Sequence, residues 1–238
     1  MSMPGLTILK PELDTAVKDI FGGVWSERDG EVVPEPEDLK LGNDAVKLNA
    51  TVLYADISGS TTLVDSYEAQ FSAEIYKTFL ICAAKIIKDE AGVITAYDGD
   101  RVMGVFIGGS KNTHAVRTAL RIQAAVLHIV NPALKVQYPI SPYVLKHVVG
   151  VDTSELLAGR IGVRNDNDLV WVGRAANYAA KLSALNEGFA TYITDSVYGN
   201  MHDKVKYALA GEDMWESRSW TAMNKMTIYR SNYYWTEI

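Results

Sequence analysis

Apolar residues follow two rhythms along this chain, one of short runs and one of helical repeats. Ala50-Thr-Val-Leu-Tyr-Ala55 is a short run that stops at Asp56-Ile-Ser-Gly-Ser-Thr61, the pattern of a buried strand opening into a polar turn. From Tyr67 to Glu90 apolar residues recur at Phe71, Ile75, Phe79, Ala83 and Ile86, which predicts a long amphipathic helix with Gly92 as its stop. Val93–Tyr97 and Arg101–Ile107 read as two strands joined through Asp98-Gly99, a pair that accepts the positive φ angles of a tight hairpin. A second helix is predicted from Asn112 to Val130, ended by Asn131-Pro132. Tyr143–Val151 and Asp168–Val172 read as strands, and the two glycines of Leu157-Ala-Gly-Arg-Ile-Gly-Val163 suggest a close backbone crossing between them. Gly173–Leu185 is a short helix, and the rest, through Tyr229–Trp235, reads as paired strands. Residues 1–48, with an amphipathic stretch at Pro11–Phe21 and an acidic, proline-containing one at Asp29–Lys40, are expected to be an N-terminal extension to a single domain, 49–238. The order of elements implies an α+β fold, a ferredoxin-like plan with helices packed on a mostly antiparallel sheet.

Composition narrows the class. The 238 residues are 48% hydrophobic and 22% charged, as in an ordinary globular protein able to bury a core. A net charge of −6 argues against a surface built to coat nucleic acid or anionic lipid. The lone cysteine, Cys82, can form neither an intrachain disulfide nor a zinc knuckle, which favours a reducing compartment. The apolar run around it, Phe79–Ala84, is far short of the roughly 20 residues that span a bilayer. Lys10, Glu12, Asp14, Lys18 and Asp19 occupy the place where a signal peptide needs an apolar stretch, so the expected location is the cytoplasm.

Two acids mark strand boundaries: Asp56 after the first strand and Asp100 at the hairpin tip. If those strands are neighbours, both carboxylates reach the same end of the sheet. Hard divalent cations favour carboxylate oxygens together with substrate phosphates, so the pair beside a Ser-Gly-Ser-Thr turn fits a nucleotide–metal site. Helix capping by Asp56 and turn closure by Asp100 fit the same residues.

Four segments, Val52-Leu-Tyr-Ala-Asp-Ile-Ser-Gly-Ser-Thr61, Tyr97-Asp-Gly-Asp-Arg-Val-Met-Gly-Val-Phe106, His147-Val-Val-Gly-Val-Asp152 with Gly159-Arg-Ile-Gly162, and Gly173-Arg-Ala-Ala-Asn-Tyr-Ala-Ala-Lys-Leu182, resemble in order and spacing the motifs of class III nucleotidyl cyclases. The resemblance covers roughly residues 48–235. It implies a head-to-tail homodimer with composite active sites, and two divalent ions, Mn²⁺ or Mg²⁺, held by Asp56, Asp100 and the carbonyl of Ile57. It further implies closure of a nucleoside triphosphate to a 3′,5′-cyclic monophosphate, with Asn177 orienting the ribose and Lys181 stabilising the transition state from the other subunit. Lys181 departs from the family's arginine; it keeps the charge without the planar fork, and Arg174 is a candidate to share its role. Arg101 is a candidate phosphate contact, or else an arginine paired with an acid.

At the two positions where purine cyclases of this family carry base-reading polar side chains, this chain has Ala96 and Val170, which cannot hydrogen-bond a base edge. Tyr54, two residues before Asp56 and so on the same face of the strand, puts a large hydroxylated ring where many purine cyclases have phenylalanine or a smaller apolar residue. In this the chain resembles the uridylate cyclases of Pycsar anti-phage systems, which implies UTP as substrate and a separate effector that reads cyclic UMP. The alternatives are an adenylate or guanylate cyclase with an atypical base code, and a catalytically silent nucleotide-binding relative. Lys225 is the nearest candidate for a triphosphate contact, and its register is open.

Overall fold

The computed structural model describes residues 6–237. They group into two compact units, one of residues 49–156 and 173–237 and a smaller one of residues 6–48 and 157–172.

In the larger unit the strands β2 (Asp44–Ile57), β3 (Val93–Asp98), β4 (Arg101–Phe106), β5 (His147–Val163), β7 (Thr191–Thr194), β8 (Glu216–Trp220) and β9 (Met226–Ser231) lie in the order β3-β4-β2-β5-β7-β9-β8. The β2/β4, β3/β4, β7/β9 and β8/β9 pairs are antiparallel and β5/β7 is parallel. Helices α2 (Ser60–Ser66), α3 (Ala69–Asp89), α4 (Lys111–Ala125), α5 (Asn131–Gln137), α6 (Arg174–Ser183) and the short α7 (Asp195–Asn200) complete the unit. The expected helical repeat is the buried face of α3: Phe71, Ile75, Phe79, Ala83 and Ile86 join Leu53, Ala55, Val102, Phe106 and Val149 in the main core. Each such side chain removed from water contributes roughly 1.5–3 kcal/mol, which is why helix and sheet faces with matching periods find each other.

Two local expectations change. Pro132 does not end the second helix. A π-type turn, Val126–Val130, follows α4 and leads directly into α5, where Pro132 sits in the first turn and needs no hydrogen-bonded N–H. The Asn131 side chain instead ties the Leu145 backbone, accepting from its N–H at 2.9 Å and donating to its carbonyl at 3.1 Å. Similarly, Leu157–Val163 is no crossing but the second half of β5, paired antiparallel with β6 (Asp166–Val172).

That hairpin belongs to the smaller unit together with residues 6–48, which comprise α1 (Leu6–Gly22), β1 (Ser26–Asp29) and the start of β2. β1 pairs in parallel with residues 44–47. Arg28 bridges the Asp44 carboxylate at 2.9 Å and the Asp38 carbonyl at 2.7 Å, and Asn43 caps the end of α1 through the Ile20 and Gly23 carbonyls.

Candidate active site

The site begins where two neighbouring strands end. Along β2 buried Leu53, Ala55 and Ile57 alternate with half-buried Tyr54 and Asp56, so Tyr54 and Asp56 share the more open face. β4 pairs with β2 through Ala55 opposite Val102, and with β3 through Asp98 opposite Arg101, leaving Gly99 and Asp100 as the hairpin loop. Gly99 takes φ +61°, a conformation that a side chain resists. The register therefore delivers Asp100 beside Asp56.

The two carboxylates interact directly. Burial, and after it the charge and hydrogen bonding of Asp100, push the Asp56 carboxyl up to about 7, while the Ile57 N–H donates to it. Asp100 Oδ2 is buried without a hydrogen-bond partner among the described residues. Arg101 offsets this charge weakly: its Nε lies 4.0 Å from Asp56 Oδ2, its Nη2 pairs with Asp98 at 2.7 Å, and its guanidinium stands 6.0 Å from the centre of the Tyr54 ring.

Two tyrosines to which the sequence assigned no role at the site lie within reach of the Asp100 charge. Tyr76 of α3 bonds Ser60, and burial followed by the Asp100 charge raises its hydroxyl. The buried Tyr143 hydroxyl, pushed up to about 12 mainly by burial, has no partner and also feels Asp100. Both continue apolar stretches, so their periodicity signals core and nothing more.

Asn177 and Lys181 project from α6 one turn apart and are exposed, and neither bonds Asp56 or Asp100 among the described residues. Lys181 Nζ lies 3.8 Å from Met223 Sδ. Arg174 is committed elsewhere. It donates to the fully buried Asp152 (3.1 Å from Nε), the Thr153 carbonyl (2.7 Å) and Ser196 (3.2 Å), which bolts the start of α6 to β5. Asp152 also accepts from Thr194.

Ala96 is half-buried on β3 opposite Met103. A bulge between Ile94 and Ala96 inserts Thr95, whose buried hydroxyl has no partner; a count along the chain cannot reveal an extra residue of that kind. Val170 lies on β6 of the smaller unit opposite Gly159, and Lys225 sits in the turn before β9 at φ +60°.

No family model matches the chain. A Burkholderia cepacia protein named uridylate cyclase is 54% identical over 230 residues, covering 96% of this chain and 99% of its own length. One of the same name from Xanthomonas perforans is 51% identical over 228 residues, covering 95% and 98%. The chain belongs to the uridylate cyclase family. Among solved structures, this family member resembles the adenylyl cyclase CyaB from P. aeruginosa (TM-score 0.65, 22% identity, 79% of this chain and 95% of that one) and the guanylyl cyclase Cya2 (TM-score 0.65, 18%, 80% and 95%). The uridylate cyclase chain thus has the class III cyclase fold.

The residues present fit a cation site. No cluster of three or more His, Cys, Asp or Glu side chains suited to a metal exists among the described residues. The site offers two mutually repelling carboxylates and an orphaned oxygen, a set that would hold Mg²⁺ or Mn²⁺ only with further oxygen ligands such as substrate phosphates and a backbone carbonyl.

Proposed function

We propose that this chain converts UTP to 3′,5′-cyclic UMP and pyrophosphate. What carries the reading is full-length similarity, at 51–54% identity, to proteins named uridylate cyclase in a chain that juxtaposes Asp56 and Asp100. Asp56, Asp100 and the Ile57 carbonyl are assigned as ligands of two divalent cations, which when bound acidify the ribose 3′-hydroxyl and neutralise the triphosphate. The 3′-oxygen loses its proton to solvent and bonds to the α-phosphorus as the bond from that phosphorus to the bridging oxygen breaks, releasing pyrophosphate. Tyr54 walls the base side of the cleft against a purine, and Ala96 offers a purine edge no partner. Arg101, steered by Asp98 and Tyr54, faces the phosphates. Asn177 and Lys181, exposed on α6, serve the second subunit of a head-to-tail homodimer, Asn177 aligning the ribose and Lys181 meeting the charge of the transition state. No described helix is long and apolar enough to cross a membrane. The product acts in the cytoplasm on a separate effector, in anti-phage defence.

The test is incubation of purified protein and Mn²⁺ with each ribonucleotide in turn, the products read by mass spectrometry. Cyclic UMP is expected to dominate; dominant cyclic AMP or cyclic GMP overturns the base assignment. Asp56→Ala is expected to abolish product, and full activity in that variant overturns the metal assignment.

A further inference from the structure

The smaller unit holds a cavity of about 660 Å³ that the cyclase chemistry leaves unused. Its wall carries three cations, Lys40, Arg160 and Arg164, two amides, Asn165 and Asn167, and one acid, Glu37. Among the described residues none of the three cations has an ion-pair partner, in a chain whose net charge is −6.

Arg160 is oriented by neutral acceptors only. Its Nε donates to Asn167 Oδ1 at 2.7 Å and its Nη1 to the Leu39 carbonyl at 3.1 Å, which holds the guanidinium plane and leaves Nη2 unused. Asn167 is itself tied to the Val163 carbonyl. Asp44 takes Arg28 and the Lys40 N–H, and Asp38 takes the Glu35 N–H, so Glu37 is the one acid of the wall, against three cations. A strut across the hairpin needs only Arg160. It gives no reason for Arg164 and Lys40 to stand beside it unpaired, where like charges repel.

A planar donor fork held in place, a second arginine and a lysine are what a doubly charged phosphate group requires, since each guanidinium can give paired charge-assisted hydrogen bonds. The volume lies within the range of roughly 300–1,000 Å³ typical of small-molecule pockets. We propose that this cavity is a binding site, separate from Asp56 and Asp100, for a ligand bearing phosphate, either an inorganic polyphosphate or a nucleotide.

Calorimetry on the full chain in EDTA and low salt tests this, because chelation removes the metals that a nucleotide needs at the carboxylate pair. The probes are pyrophosphate and UMP. Heat from both means that the phosphate alone is recognised, and heat from UMP only means that the nucleoside is read as well; either supports the site. Lys40→Ala/Arg164→Ala changes two exposed side chains that make no hydrogen bond among the described residues, so its unfolding midpoint should match the wild type. Its affinity is expected to fall at least about tenfold, as the loss of charged hydrogen bonds implies. Arg160→Lys, which keeps the charge and loses the fork, is expected to fall between the two. A wild type that binds neither probe, or a double variant that binds as tightly as wild type, overturns the proposal.

Discussion

Gly150 is the point at which a single methyl group should disable this protein. It lies on β5 opposite Tyr192, beneath α6. A Cβ there would stand 2.1 Å from the Ala179 carbonyl oxygen, 2.5 Å from the Ser183 nitrogen and 2.8 Å from Leu182 Cβ. Two of those atoms are helix backbone and cannot swing aside, and Ala179 and Leu182 are fully buried. To restore ordinary contact, α6 must retreat by roughly 1.3 Å. Overpacking of this kind costs about 1–3 kcal/mol, and the rigidity of the neighbours puts Gly150→Ala at the upper end. The same shift moves Asn177 and Lys181, and a misplacement of about 1 Å can cost a hundredfold in rate. Urea unfolding gives the first quantity and pyrophosphate release at saturating UTP the second. A variant with wild-type stability and turnover would refute the packing argument. Lost stability with full turnover per folded molecule would instead remove Asn177 and Lys181 from the chemistry.

Other variants probe the remaining links. Because Asp56 titrates near 7 in the fold against 3.8 in an open chain, the native state holds the extra proton between those values. Metal-free protein should therefore lose stability as pH rises from about 4 to about 7 and then level off. Asp100→Asn should make the total loss smaller and bring the plateau to lower pH in urea titrations in EDTA, and an unchanged plateau would refute the carboxylate coupling. Tyr54→Ala should improve ATP and GTP turnover relative to UTP by roughly tenfold, as pocket enlargement does; an unaltered product ratio in competition assays removes Tyr54 from base selection. Arg174→Ala leaves the buried Asp152 without its counter-ion, held only by the Thr194 hydroxyl and the Thr153 N–H, and should cost about 3 kcal/mol in urea unfolding. A loss below about 1 kcal/mol would mean that the Asp152–Arg174 contact is not what holds α6 to β5.

Much of the site was legible one residue at a time. Asp56 and Asp100 stand out because each interrupts an apolar pattern, and the Asp98-Gly99 pair marks a hairpin whatever surrounds it. Asn177 and Lys181 came from the resemblance to class III nucleotidyl cyclases, and one-turn spacing on a helix only made their sharing a face consistent with it. The Thr95 bulge was not, because it depends on which residue of β4 faces which residue of β3. Tyr76 and Tyr143 look like core aromatics in any local window and are distinguished only by the carboxylate they meet.

Local pattern by itself determined the elements that satisfy their needs nearby: the buried stripe of α3, the β3–β4 hairpin, and strand-end acids suited to cations. It could not determine that β5 runs unbroken through Leu157–Val163, that the helix continues past Pro132 by way of a π turn, or that Arg174 serves Asp152 and not a phosphate. Those features depend on partners far away in the chain. A strand's neighbours, a buried carboxylate's counter-ion and the charge around Lys40, Arg160 and Arg164 exist only once distant segments share a surface, where burial makes each unpaired group costly and each pairing decisive.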